Sequence, residues 1–226
     1  MTRCGQAAPI GHFRTPFAIG IACCGVILQV TLIGCYSHPT VVKAVDIDIP
    51  AVCTKLFGDH DADQDGVLTE EELASVPPLG SCVKRMDINK DGNISQEELQ
   101  AHFVKVFNPK IGMIGATCRV THKGSPLSGA TVHFIPADYL QLESSTMPIA
   151  SGTTSSQGIA QMEIHPDYLP PNMPKLRGMV RPGFYLVDVT KAGVNIPACY
   201  NSETTLGVEV SAQENNRGPI NVALNY

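Results

Sequence analysis

The sequence predicts an α+β protein with more than one domain, in which a small α-helical lobe precedes an all-β sandwich. Residues 46–98 hold thirteen carboxylates and four basic residues, a net charge of −9, whereas residues 111–226 hold eight and seven, a net charge of −1. Beyond Asn108-Pro109 the pattern changes to short alternating apolar runs split by Gly, Pro and Ser, which is typical of strands and turns. Two domains of different chemistry are therefore expected.

The overall charge excludes one class of partner. The 226 residues include 16 Lys and Arg against 21 Asp and Glu, a formal net charge of −5. The few basic residues are scattered, whereas proteins that bind phosphate backbones carry a basic patch or stripe. We expect no nucleic-acid partner.

The N-terminal segment has the layout of an export signal. Residues 1–34 contain no acidic residue, and residues 17–33 are apolar apart from Gln29 and Thr31. A membrane-spanning helix is the alternative, but it needs about 20 apolar residues, and this run is shorter. We interpret residues 1–34 as a signal peptide and residues 35–49 as a tether.

The end of this segment, Leu32-Ile33-Gly34-Cys35, resembles a bacterial lipobox. The resemblance implies cleavage after Gly34 and attachment of a diacylglycerol to Cys35. Several acyl chains on one terminus would anchor the protein stably in a membrane. We therefore expect an exported protein, anchored by lipid to the bacterial cell envelope, at the outer membrane, in the periplasm or on the cell surface.

Four cysteines remain after this processing, and export would place them in an oxidising compartment. Two fall in each predicted domain, so we favour Cys53 with Cys82 and Cys118 with Cys199, with buried free thiols as the alternative. Zinc is not expected, because the sequence has no C-x-x-C or H-x-x-x-H pair to preorganise a site.

Two stretches, Asp61–Glu72 and Asp87–Glu98, carry oxygen-bearing side chains at alternate positions, a Gly at position 6 and a Glu at position 12. A hard cation of calcium's size takes about six to eight oxygens, and alternate residues of a tight loop point their carboxylates inward. Gly suits position 6 because it adopts left-handed backbone without a Cβ clash.

Both stretches resemble EF-hand loops, and the resemblance implies two bound Ca²⁺ ions. Position 7 offers its backbone carbonyl and the final Glu offers two oxygens. The implied ligands are Asp61, Asp63, Asp65, Val67 and Glu72 in loop one, and Asp87, Asn89, Asp91, Asn93 and Glu98 in loop two. Loop one has four charged ligands and loop two has three, so loop one should bind calcium more tightly.

Neighbouring residues predict how the loops are coupled. Leu68 and Ile94 should pair as a short two-stranded bridge, and Thr69 and Ser95 should cap the following helices. Pro77-Pro78 must end the helix after loop one early. The EF-hand pair, residues 50–108, is thus similar to short-helix pairs of bacterial surface proteins and dockerins, and structural calcium is favoured over signalling.

Residues 111–226 show period-two burial, for example at Tyr185, Val187 and Val189, which a sandwich requires. Residues 119–134 and 181–187 resemble transthyretin-like or carboxypeptidase-regulatory-like domains, which implies an immunoglobulin-like sandwich fold. One branch of that family is hydrolytic, but the C-terminal residues that carry its activity are missing here.

We therefore expect no enzymatic activity. The leading hypothesis is a calcium-binding, lipid-anchored envelope protein whose sandwich contacts an unidentified protein or glycan. The alternatives are a dockerin-like, calcium-dependent docking module and a weak hydrolase in the transthyretin-like region.

Overall fold

The computed structural model describes residues 42–141, 147–170, 177–215 and 218–226. The described residues all belong to one compact unit. The predicted signal peptide and Cys35 lie outside them. Among the described residues, no helix combines the length and the apolar character that crossing a membrane requires.

The N-terminal half of the described chain is mainly helical, with two very short strands. Its elements are α1 (Ile49–His60), β1 (Val67–Leu68), α2 (Glu70–Leu73), α3 (Pro77–Gly80), α4 (Val83–Met86), β2 (Ile94–Ser95) and α5 (Gln96–Phe107). We call this part the helical lobe.

Local capping defines where these helices begin. The Asp48 side chain accepts a hydrogen bond from the Ala51 amide at 3.0 Å and starts α1. Thr69 and Ser95 each form the predicted capping box, with the Glu three residues later. Helix α2 ends at Leu73, and Pro77, which needs no amide partner at a helix start, begins α3.

The C-terminal half is rich in β-strands, as predicted. Its strands are β3 (Ile114–Gly115), β4 (Thr117–His122), β5 (Ser125–Pro126), β6 (Thr131–Pro136), β7 (Ala150–Thr153), β8 (Ile159–Gln161), β9 (Glu163–Ile164), β10 (Met179–Val180), β11 (Gly183–Thr190), β12 (Gly207–Val210) and β13 (Ile220–Leu224). One short helix, α6 (Ala212–Asn215), lies between the last two strands.

These strands form several sheets. A five-stranded antiparallel sheet has the order β12-β11-β6-β7-β9. A second sheet has the order β13-β4-β5, with β8 also paired to β4, and β13 runs parallel to β4. Strands β3 and β10 pair separately.

Strand β11 of the five-stranded sheet has buried side chains on both of its faces. Tyr185, Val187 and Val189 alternate inward as the sequence predicts, and the Tyr185 ring lies 5.8 Å from that of Phe134. Phe184 is also fully buried, and its ring stacks on Phe103 of α5. The opposite face of the sheet is therefore covered by the helical lobe.

This packing joins the two predicted domains into one hydrophobic core. The core contains Leu56, Leu99 and Phe103 of the lobe together with Val132 and Phe134 of the sheet. Gly207 of β12 approaches α3 so closely that a Cβ there would lie 2.1 Å from the Pro77 carbonyl carbon. The boundary near Asn108 is thus a change of structure type and not a separation of cores.

Candidate metal centre

Loop one gathers its carboxylates at a single point. Ligand oxygens of Asp61, Asp63 and Asp65 all lie within 4.8 Å of one another. The loop's own amides hold them there: Asp61 accepts from Gly66 N at 3.1 Å, and Asp65 accepts from Val67 N at 2.9 Å. Like charges at this spacing repel each other in the absence of a cation.

Left-handed backbone makes the sharp turns possible in both loops. Gly66 and Gly92 at position 6 have φ of +85° and +89°. Gln64 and Lys90 at position 4 share this conformation, with φ of +59° and +64°. The two loops therefore have matching backbone conformations at both turn positions.

The final Glu of loop one returns to the start of the loop. Glu72 accepts hydrogen bonds from Ala62 N at 2.7 Å and from Thr69 N at 2.9 Å. The hydrogen bonds from Thr69 and Ala62 lower the pKa of Glu72 and so favour its charged form. The charged Glu72 carboxylate is thus hydrogen-bonded to the backbone of the same loop that carries the three Asp side chains.

Loop two repeats this arrangement with one charge fewer. Asp87 accepts from Gly92 N at 3.0 Å, and Glu98 accepts from Ile88 N at 2.8 Å. Asn89, which is uncharged, donates its side-chain amide to Asp91 at 2.8 Å. Burial opposes ionisation of Glu98, but hydrogen bonds from Ser95 and Ile88 outweigh it and lower its pKa.

The oxygen donors suit calcium better than softer metals. Both loops present carboxylate and amide oxygens from the positions that an EF-hand loop uses. Val67 and Asn93 occupy position 7, where the sequence predicts a carbonyl ligand. The predicted residues therefore fit the ion.

The predicted bridge between the loops is confirmed. Leu68 lies opposite Ile94, and Val67 lies opposite Ser95, in an antiparallel pairing. Leu68 and Ile94 are both 0% exposed. The two loops are thus joined through a buried contact.

The predicted disulfides are not formed. Cys53, Cys82, Cys118 and Cys199 are all free thiols. Cys118 is buried on the inner face of β4, whereas Cys199 lies exposed on a short 3-10 turn. The Cys82 thiol instead donates to the Pro78 carbonyl at 3.2 Å.

Sequence reasoning missed a buried polar cluster between the lobe and the five-stranded sheet. The alternation in β12 places Glu209 on a polar face, yet it is only 5% exposed. Its carboxylate lies 2.8 Å from His102 Nε2 and 2.9 Å from Arg85 Nη2. Burial alone would raise the pKa of Glu209, but hydrogen bonds from His102 and Ser211 and the Arg85 charge lower it to about 2.

Three other histidines lie in separate parts of the structure. His133 lies 3.1 Å from Asp188, His122 lies 3.1 Å from the Tyr226 carbonyl, and His165 lies 3.4 Å from Asp167. Each has its own local partner, so the structure does not bring these three side chains together around a common ligand.

A family model described as EF hand matches residues 55–77 and 84–104. These ranges contain all of loop one and all of loop two, together with parts of the flanking helices. No curated protein and no solved structure matches the chain. The EF-hand match supports calcium binding by the helical lobe.

Proposed function

We propose that the protein binds two structural calcium ions and is anchored by lipid to the bacterial cell envelope, where its β-rich region acts as a non-enzymatic interaction domain. The observation that carries the calcium proposal is the convergence of three carboxylates in loop one, which a buried bridge joins to a second loop with the same pattern. Loop one should have the higher affinity because it offers four charged ligands.

Each ion would be held by the final Glu and the three oxygen-bearing side chains that precede it in its loop. The cation would supply positive charge that cancels the repulsion among Asp61, Asp63 and Asp65. Calcium binding should therefore add directly to the free energy of unfolding. Loop two, where Asn89 already donates to Asp91, should gain less from its ion.

Packing of the lobe supports a structural role over a switching role. An EF-hand sensor opens on calcium binding and exposes an apolar groove. Here helices α2, α3 and α4 have only four residues each. Phe103 and Leu99 are already buried, and Phe103 stacks on Phe184 of the sheet. Opening the lobe would break this core.

The same packing argues against a dockerin-like plug. A docking module presents its helical face to a partner protein, whereas part of this face is covered by the chain's own β11 and β12. A partner would more readily contact the outer surface of the β-rich region. The transthyretin-like pattern of residues 119–134 is consistent with such a contact role.

The lipid anchor rests on the sequence Leu32-Ile33-Gly34-Cys35 after an apolar segment without acidic residues. It would place the start of the predicted tether, residues 35–49, at the membrane surface. Within that range Val42 and Val45 are buried and Ile49 begins α1, so the free tether is shorter than the sequence predicts. Calcium sites of this kind in extracellular modules commonly have a Kd of about 10⁻⁴ to 10⁻³ M. Sites of this affinity would be occupied wherever calcium exceeds that concentration range.

Calcium titration calorimetry of the full chain, combined with hydrogen exchange, tests this proposal. We expect two ions per chain, a calcium-dependent rise in Tm and increased amide protection in both loops. A stoichiometry below two would overturn the two-site proposal. Loss of protection in α5 or β11 on adding calcium would show opening, and would overturn the structural role.

A further inference from the structure

The buried polar cluster brings together three different metal-ligand types from distant parts of the chain. Cys82 lies at the start of α4, His102 on α5 and Glu209 on β12. One ligand atom from each lies within 4.8 Å of the others, and all three residues are buried. Such a grouping of sulfur, nitrogen and oxygen is not explained by calcium binding.

Two further polar groups at this place have unsatisfied hydrogen-bonding capacity. Within the described residues, neither His102 Nδ1 nor the Tyr139 hydroxyl has a hydrogen-bond partner. His102 is 3% exposed and Tyr139 is 9% exposed. Burial, with a smaller contribution from the nearby Cys82 and Glu209, raises the pKa of Tyr139 well above its usual value. Buried polar groups are nearly always bonded, so the unpartnered Tyr139 hydroxyl is consistent with a ligand close to this cluster, whereas His102 Nδ1 lies on the side of the ring away from Glu209.

We propose that Cys82, His102 and Glu209 form a buried Zn²⁺ site that ties the helical lobe to the five-stranded sheet. Thiolate, imidazole and carboxylate are the donors that zinc prefers, whereas calcium takes oxygen donors. The two anionic ligands would neutralise the ion. On binding, the Cys82 thiol releases its proton to solvent and its sulfur forms the Zn–S bond, so no redox partner is needed.

Distances within the cluster are compatible with zinc after a small adjustment. Zinc bonds of about 2.0 to 2.3 Å separate neighbouring tetrahedral ligands by about 3.3 to 3.8 Å. The three ligand atoms already lie within 4.8 Å, and the 2.8 Å separation between His102 and Glu209 must lengthen. A fourth position remains for water or for the Tyr139 hydroxyl.

Arg85 occupies the place that the ion would take. Its Nη2 lies 3.0 Å from Cys82 Sγ and 2.9 Å from Glu209 Oε2. Its other terminal nitrogen is 3.5 Å from Glu214, and its side chain is 29% exposed. The guanidinium can therefore move toward Glu214 and solvent when a metal ion replaces its positive charge.

A surface cleft borders the cluster on the side of Arg85 and Glu209. A cleft of about 280 Å³ is lined by Ser81, Arg85, Glu209 and Glu214, among others. Glu209 is thus shared between this cleft and the buried centre. Cys82 and His102 do not line the cleft, so an ion would have to pass Arg85 and Glu209 to reach them.

Cobalt and zinc titrations of the full chain in saturating calcium test the proposal. Calcium keeps both EF-hand loops filled, and a Cys199→Ser background removes the exposed thiol. We expect one Co²⁺ per chain with a thiolate-to-cobalt charge-transfer band, which Zn²⁺ abolishes. Cys82→Ser should remove the band, whereas Cys118→Ser, which alters another buried thiol, should leave it intact.

Arg85→Gln provides an independent test that does not depend on altering a ligand. It removes the competing positive charge and should tighten zinc binding by about tenfold or more. X-ray absorption of the zinc-loaded protein should show one sulfur and two or three nitrogen or oxygen neighbours. A zinc site without sulfur, a band that survives Cys82→Ser, or weaker binding by Arg85→Gln would each overturn the proposal.

Discussion

The ring of Phe103, in the last helix of the helical lobe, stacks on the ring of Phe184 in β11 with 4.8 Å between their centroids. Both side chains are 0% exposed. In an isolated EF-hand pair, the Phe103 side chain would face a groove. Here it belongs to the same core as the sheet. Calcium binding and the stability of the β-rich region should be coupled through this contact.

The first prediction concerns the final Glu of loop one. Glu72→Gln removes one ligand charge and impairs bidentate binding, so calcium affinity at site one should fall by about tenfold or more. Glu71→Gln is the matched control, because it removes the same charge from an exposed neighbour. Calorimetry of the full chain measures both. Equal losses in the two variants would contradict the assignment of Glu72 as a ligand.

The second prediction concerns the bridge between the loops. Leu68→Ala should leave a cavity against Ile94 and lower the free energy of unfolding by about 2 to 5 kcal/mol. It should also weaken both calcium sites, since the bridge joins them. Ile88→Ala, at a side chain 59% exposed in loop two, should cost little. Denaturant unfolding with and without calcium checks this, and a loss confined to loop one would argue against coupling.

The third prediction concerns the contact between β12 and α3. Gly207→Ala places a Cβ 2.1 Å from the Pro77 carbonyl carbon, so the lobe must move away from the sheet, and Tm should fall clearly. Gly58→Ala is the control, because its Cβ would meet no atom within 4 Å in helix α1. That variant should stabilise the protein by about 0.5 to 1 kcal/mol. An unchanged Tm for Gly207→Ala would show that the contact is not required.

The fourth prediction concerns the thiols. Burial raises the pKa of Cys53 to about 11 and that of Cys118 to about 12. Because alkylation requires the thiolate, both should stay unreactive near pH 8 until the protein unfolds, while exposed Cys199 reacts at once. Peptide mapping after timed alkylation reads each residue separately. A disulfide-linked peptide containing Cys53 and Cys82 would contradict the free-thiol arrangement.

The fifth prediction concerns membrane attachment. If Cys35 is lipidated, Cys35→Ser should stall processing or release the protein from the membrane fraction. Mass spectrometry of the mature N-terminus identifies both the first residue and its modification. Cys199→Ser is the control for loss of a cysteine elsewhere. A membrane-associated mature protein that begins at another residue would refute the lipobox interpretation.

Local chemistry explains why the sequence alone determined the calcium loops. The spacing of Asp61, Asp63, Asp65 and Glu72 lies within twelve consecutive residues, and the capping box at Thr69 requires only its neighbours. The pairing of Leu68 with Ile94 follows from the repetition of the motif. Likewise, alternation in β11 correctly identified Tyr185, Val187 and Val189 as buried, because a strand's faces are set by its own period of two.

Only the tertiary structure decided which surfaces are covered by other parts of the chain. Period two in β12 assigns Glu209 to a polar face, but the helical lobe packs there and buries it beside His102, 107 residues away in sequence. The same packing buries Phe184 and brings Cys82 to a polar cluster instead of a disulfide. Sequence periodicity describes the faces of each element, whereas burial depends on long-range contacts that no local pattern contains.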